Sequence, residues 1–110
     1  MAAIANLLVD QGATFTTTVT VYKSDDSIYN LTNYTAAAQV RKSHQSSTKT
    51  DFATAISNPS NGQITLTLTK TQTAALEEGH YVYDVEITAS DSTVTRVVQG
   101  VIKVSPNVTR

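Results

Sequence analysis

Glu78, His80, Asp84 and Glu86 gather four of the chain's eleven acidic and histidine side chains within nine residues. His80 lies two residues after Glu78 and four before Asp84, so a metal ligand or a general base is conceivable there. A zinc site needs three or four ligands in convergent geometry. The one other histidine, His44, falls in a polar stretch, so His80 reads as a residue flanking a turn. Asp84 and Glu86 are two apart and share one strand face. Paired-carboxylate catalysis would need one of them in an apolar pocket that raises its pKa. Along an exposed polar face they read as solvated charges or as partners of Arg41 or Arg96, and Asp84 could alternatively cap backbone amides of a loop.

Other nucleophile and phosphate chemistry lacks its motifs. No Gly-x-Ser-x-Gly elbow and no glycine-rich phosphate loop occurs. The absence of cysteine removes disulfide and thiolate chemistry and leaves the redox compartment open. No catalytic, cofactor-binding or metal-ligating residue is therefore assigned, no cofactor is expected, and the chain is expected not to be an enzyme. Tyr22, Tyr29, Tyr34, Tyr81 and Tyr83 could form a sugar-stacking platform. Tyr81 and Tyr83 share a face, however, and tyrosines equally suit a core or a protein interface. Asn30, Asn33 and Asn107 each open a glycosylation sequon, which reads as coincidence in a threonine-rich chain.

The elements that would position these residues are strands. Ile64, Leu66 and Leu68 alternate with Thr65, Thr67 and Thr69, and a second alternation runs from Tyr81 to Ile87. Period-two patterning gives each segment one apolar and one polar face. Ile4 to Val9 reads as a first strand ended by Asp10-Gln11-Gly12. Thr14 to Tyr22 reads as a second, with Phe15, Thr17, Val19 and Val21 on one face and Thr16, Thr18 and Thr20 on the other. Lys23 to Asn30 is a polar turn. Tyr34 to Lys42 is a third strand whose inward Ala36 and Ala38 let a neighbour approach closely. Ser43 to Thr50 is the expected mobile loop, Asp51 to Ser57 a short strand carrying Phe52 and Ile56, and Asn58 to Gly62 a turn.

Lys70 to Leu76 reads as one helical turn, closed by Glu77-Glu78-Gly79 with the glycine left-handed. A hairpin of His80 to Ala89 and Thr93 to Val104 follows, turning at Ser90-Asp91-Ser92. Val94, Val98, Ile102 and Val104 are expected on its apolar face, and Gly100 marks a bulge or a close backbone contact. Ser105 to Arg110 is a tail. The fold expected from this order is a single all-β domain over residues 1–110: an immunoglobulin-like antiparallel β-sandwich with one short helical turn.

Composition agrees. At 110 residues the chain should bury roughly 65% of its unfolded surface, enough for a core without staples. Threonine contributes nineteen residues, and β-branched side chains fit half-buried pleated surfaces. The net charge of −1 has no basic stripe, which argues against nucleic acid as a partner. No run approaches the roughly 20 apolar residues of a membrane span, and the uncharged start of the chain does not read as a signal peptide. Synthesis in the cytoplasm with no membrane partner is expected.

Several blocks together resemble small virion proteins of contractile-tailed bacteriophages, marine ones especially. They are Asp10-Gln-Gly-Ala-Thr-Phe15, Leu31-Thr-Asn-Tyr34, Gln39-Val-Arg-Lys-Ser43 and Ile64-Thr-Leu-Thr-Leu68. Thr73-Ala-Ala-Leu76, Gly79-His-Tyr-Val-Tyr-Asp84, Arg96 to Gly100 and Val104-Ser-Pro-Asn-Val-Thr109 continue the series. The chain is also loosely similar to N-terminal modules of phage baseplate proteins. The family's usual glycine in the Leu-Thr-Gly-Tyr turn is Asn33 here, a residue that also tolerates positive φ.

The resemblance implies a structural component of the virion, in head, neck, tail or baseplate. Such a subunit would be made in the host cytoplasm and act through multivalent contacts with other virion proteins and possible copies of itself. Ile4 to Val9 and Val104 to Arg110 are the expected docking elements. The alternative expectation is a carbohydrate-binding or host-adhesion module that takes a surface glycan on its tyrosines.

Overall fold

A computed structural model describes residues 3–23, 25, 27–43 and 49–106. His44, Asn107 and the centre of the expected mobile loop lie outside the described residues. The described residues form nine strands: β1 (Ala3–Ile4), β2 (Leu7–Asp10), β3 (Phe15–Thr20), β4 (Thr35–Arg41), β5 (Lys49–Asp51), β6 (Ala53–Asn58), β7 (Gln63–Leu68), β8 (Gly79–Thr88) and β9 (Val94–Ser105). A 3-10 turn (Pro59–Asn61) and one short helix, α1 (Lys70–Ala75), complete the described elements.

Two sheets face each other. One runs β1-β9-β8-β4-β5, with β2 also on β9; the other runs β3-β7-β6. This is the immunoglobulin-like order, with one sheet of three strands packed on a longer one. One part of the antiparallel expectation needs correction. β1 and β2 pair parallel to β9, Ala3 opposite Val98 and Leu7 opposite Ile102, so the larger sheet is mixed. The first and last strands run side by side, and antiparallel patterning carries no signal for that.

The core follows the alternation. Ile64, Leu66 and Leu68 of β7 are fully buried and face Val85 and Ile87 of β8 and Ile102 and Val104 of β9 across the sandwich. Each such aliphatic contributes about 2 kcal/mol of burial. The outward residues of β3 and β7 are threonines in register, Thr16 opposite Thr67 and Thr18 opposite Thr65, with hydroxyls 3.3 Å apart in both pairs.

The expected strand from Asp51 to Ser57 is divided between the two sheets. β5 ends at Asp51 on β4, the chain crosses at buried Phe52, and β6 pairs with β7. The small side chains of β4 permit this close passage. Phe52 N donates to the Ala38 carbonyl at 3.0 Å, and the Thr54 hydroxyl donates to the Ala36 carbonyl at 2.8 Å. Lys49 and Thr50, expected in the loop, belong to β5.

α1 starts with a capping box: Gln72 N donates to Thr69 Oγ1 at 3.2 Å, and Thr69 N donates to Gln72 Oε1 at 2.9 Å. Gly79 does not cap its far end. Leu76 terminates the helix in an extended conformation, and Gly79, at φ 133°, opens β8. Thr73 is fully buried, and its hydroxyl ties α1 to the turn after β2. It donates to the Ala13 carbonyl at 2.8 Å and the Lys70 carbonyl at 3.1 Å, and it accepts from Gly12 N at 3.1 Å.

Val94 is a second correction: it is exposed, not part of the apolar face. The β8–β9 register shifts between Val85 and Glu86, where Val85 pairs with Val98 and Glu86 with Arg96, leaving Val97 as a bulge residue. The extra residue reverses the facing of everything before it on β9.

Replacing Thr73 with valine keeps the shape but leaves the part-buried Gly12 N and Ala13 carbonyl without this partner. The expected loss is about 1 kcal/mol, read as a lower urea midpoint at unchanged slope.

Candidate interaction surfaces

The acidic pair lies on the outer face of the larger sheet, as its spacing predicts. In register, Val82 stands beside Val101, Asp84 beside Gln99, and Glu86 beside Arg96. On the other flank, β4 sets Arg41 beside Val82 and Gln39 beside Asp84. All of these except Val101 line an open hollow of about 290 Å³. Arg96 Nε lies 3.2 Å from Asp84 Oδ2, and Arg41 Nη2 donates to Gln39 Oε1 at 3.0 Å. Arg96 reaches this face because of the bulge at Val97. Simple alternation backwards from Val98 would have turned it inward.

An apolar strip borders the hollow. Ile4 is paired with Gln99 and Leu8 with Lys103, so both side chains share the outer face with Val101. Ile4 is 75% exposed, Leu8 60% and Val101 38%. The expected N-terminal docking element is thus a sheet strand, and its outward side chains alone are presented.

The tyrosines do not assemble into one platform. Tyr83 is buried, and its hydroxyl donates to the Ala5 carbonyl. It stands opposite Gly100, and a Cβ at Gly100 would lie 2.1 Å from that carbonyl oxygen. The close backbone contact expected at Gly100 is therefore present. Burial pushes the Tyr83 phenol up to about 12. Tyr81 is half-buried at the far end of the sandwich, where its hydroxyl donates to the Glu77 carbonyl at 3.0 Å. This is the tyrosine corner of immunoglobulin-like domains, four residues back along the chain. The Lys42 ammonium lies 4.6 Å from the Tyr81 ring centroid.

Tyr22, Tyr29 and Tyr34 collect at the opposite end. The Tyr29 and Tyr34 rings meet edge to face at 5.7 Å with hydroxyls 3.3 Å apart, a contact that raises the Tyr34 pKa together with burial. Asn33 supplies the left-handed turn there at φ 69°. Gly62 must be glycine, because a Cβ would lie 2.6 Å from the Tyr29 carbonyl oxygen and φ is 68°. Tyr22 and Ile28 face each other across a single bridge and stay exposed. Nearby turns are stiffened by side chains. The Ser27 hydroxyl and backbone hold the Asp25 carboxyl below its usual range, and Thr93 does the same for Asp91.

His80 is exposed on β8, beside Lys103 of β9. Among the described residues no three histidine or acidic side chains gather in a metal-binding cluster. Asn30 Oδ1 accepts from the backbone and hydroxyl of Thr32 at 2.9 and 2.6 Å, so this sequon asparagine is engaged in a local turn.

No family model matches the chain, and no curated protein matches it either. A solved structure, the internalin-like protein of Listeria monocytogenes, aligns with 96% of this chain at 18% identity and a TM-score of 0.48. The chain spans 28% of that protein's length.

Tyr83 supplies a pH test. Its folded pKa, about 12, exceeds the ordinary phenol value of 10.0, so the folded state holds the phenol proton more tightly than the unfolded state. That contribution is complete below pH 10 and is lost as pH rises towards 12, by on the order of 2 kcal/mol. Urea midpoints should fall through this window. In Tyr83→Phe this component of the fall should vanish, and stability at neutral pH should drop by about 1 kcal/mol because the Ala5 carbonyl loses its donor.

Proposed function

We propose that this chain is a non-enzymatic sandwich subunit that works by protein–protein contact, as an accessory structural component of a tailed-phage virion. The observation that carries the contact reading is the outer face of the larger sheet. There an exposed apolar strip adjoins charges that pair across strands, an arrangement suited to a partner surface. The virion assignment rests on the ordered sequence blocks from Asp10 to Thr109. Repetition of the subunit on a symmetric particle would multiply a modest contact into stable attachment. Partners would be other virion proteins.

A second reading, a glycan-binding or adhesion module, draws on exposed Tyr22 and Ile28 at the loop end. Tyr29 is a poor probe for it, because its ring is committed to Tyr34.

Protein analysis and immunogold labelling of purified particles should find the chain in stoichiometric amounts, and its absence from the particle would end the virion reading. On glycan arrays the chain should show no saturable signal. Saturable binding that Tyr22→Ala abolishes would transfer the assignment to the adhesion module.

A further inference from the structure

We infer that two copies of this chain associate through the outer face of the larger sheet, about a two-fold axis along the seam between β8 and β9. The argument starts from the register. Val82 is paired with Val101, Asp84 with Gln99, and Glu86 with Arg96. A two-fold axis lying along that seam places β8 of one copy over β9 of the other at the same height. Each residue then faces the register partner of its own kind: valine meets valine, Asp84 meets Gln99, and Glu86 meets Arg96. The central β8 and β9 rows therefore oppose one another reciprocally, as an isologous contact requires, while on the flanks Gln39 of β4 comes over Ile4 of β1.

The charge pattern selects this axis over its neighbours. An axis along β8 would set Glu86 on Glu86 and Asp84 on Asp84. An axis along β9 would set Arg96 on Arg96. Like charges so opposed cost several kcal/mol at an interface, whereas the seam puts opposite charges together twice. The bulge at Val97 is what makes the pairing available, because it turns Arg96 outward.

Size and composition fit as well. The axis superposes four strand positions and carries β5 past the partner's edge, so with the ten residues of β8 the overlap spans about 19 by 33 Å, on the order of 600 Å². Specific interfaces take from about 600 to 1,000 Å² from each partner, so the overlap meets the lower end of that range. Ile4, Leu8 and Val101 supply exposed apolar surface that association would cover. This inference is independent of the virion reading, since it concerns the isolated chain and survives whether or not particles contain it.

Sedimentation velocity of the purified chain tests it. The 11.8 kDa chain should shift to twice that mass as concentration rises. Val101→Arg should remain monomeric with an unchanged melting curve, while Thr18→Arg on the opposite sheet should dimerise normally. Glu86→Arg should weaken the dimer at least ~10-fold, and adding Arg96→Glu should restore it. A chain that stays monomeric at its solubility limit overturns the proposal. So does a dimer that survives Val101→Arg, one that Thr18→Arg disrupts, or a double charge reversal that fails to recover association.

Discussion

Tyr83 holds the two ends of the chain together. Its ring starts from β8, passes the bare backbone of Gly100 on β9, and ends with its hydroxyl on the Ala5 carbonyl between β1 and β2. On the core side it meets Phe52 edge to face at 6.1 Å, and Phe52 in turn meets Phe15 at 6.4 Å. The line of rings therefore runs from β3 in one sheet, through the crossing between β5 and β6, to β8 in the other. Immunoglobulin domains commonly join their sheets with a disulfide backed by an aromatic residue. This cysteine-free chain joins them with edge-to-face and tilted ring contacts and one buried hydroxyl, so its cohesion does not depend on an oxidising environment.

That clamp has a consequence for the surface. With Ala5 fixed, β1 and β2 lie flat against β9 and extend the sheet by one strand. Ile4 and Leu8 then project outward beside Gln99 and Lys103, because Leu7 and Val9 are register-matched to Ile102 and Val104 on the inward face. An N-terminal segment that alternates between faces cannot bury both sets of side chains in a single-layer position. The outer apolar strip is thus the geometric complement of the inner anchoring, and it lies beside the charges that the Val97 bulge brings into line.

The two sheets differ in what they offer. The smaller presents threonines whose hydroxyls pair with each other across strands, a neutral surface without apolar relief. The larger presents a hollow with acids on its central strand and basic or amide side chains on the flanking ones. The proposed contact is placed on the larger sheet because discrimination between partners needs directional charge as well as area.

Much of this was legible in the sequence. Alternation in β3, β4, β7 and β8 identified which side chains face inward, since a pleated strand offers no other arrangement once one face is buried. The same rule put Asp84 and Glu86 together on one face, and Gly100 announced a close approach that only a missing Cβ allows. Three features needed the assembled fold. The parallel pairing of β1 and β2 joins residues almost a full chain length apart, and local pattern cannot report such a pair. The facing of Val94 and Arg96 depended on one unpaired residue in a ladder, which changes the register without changing the composition. The tyrosines were separated into core, corner and loop end by topology alone, because an amphipathic ring is compatible with all three sites until its neighbours are in place.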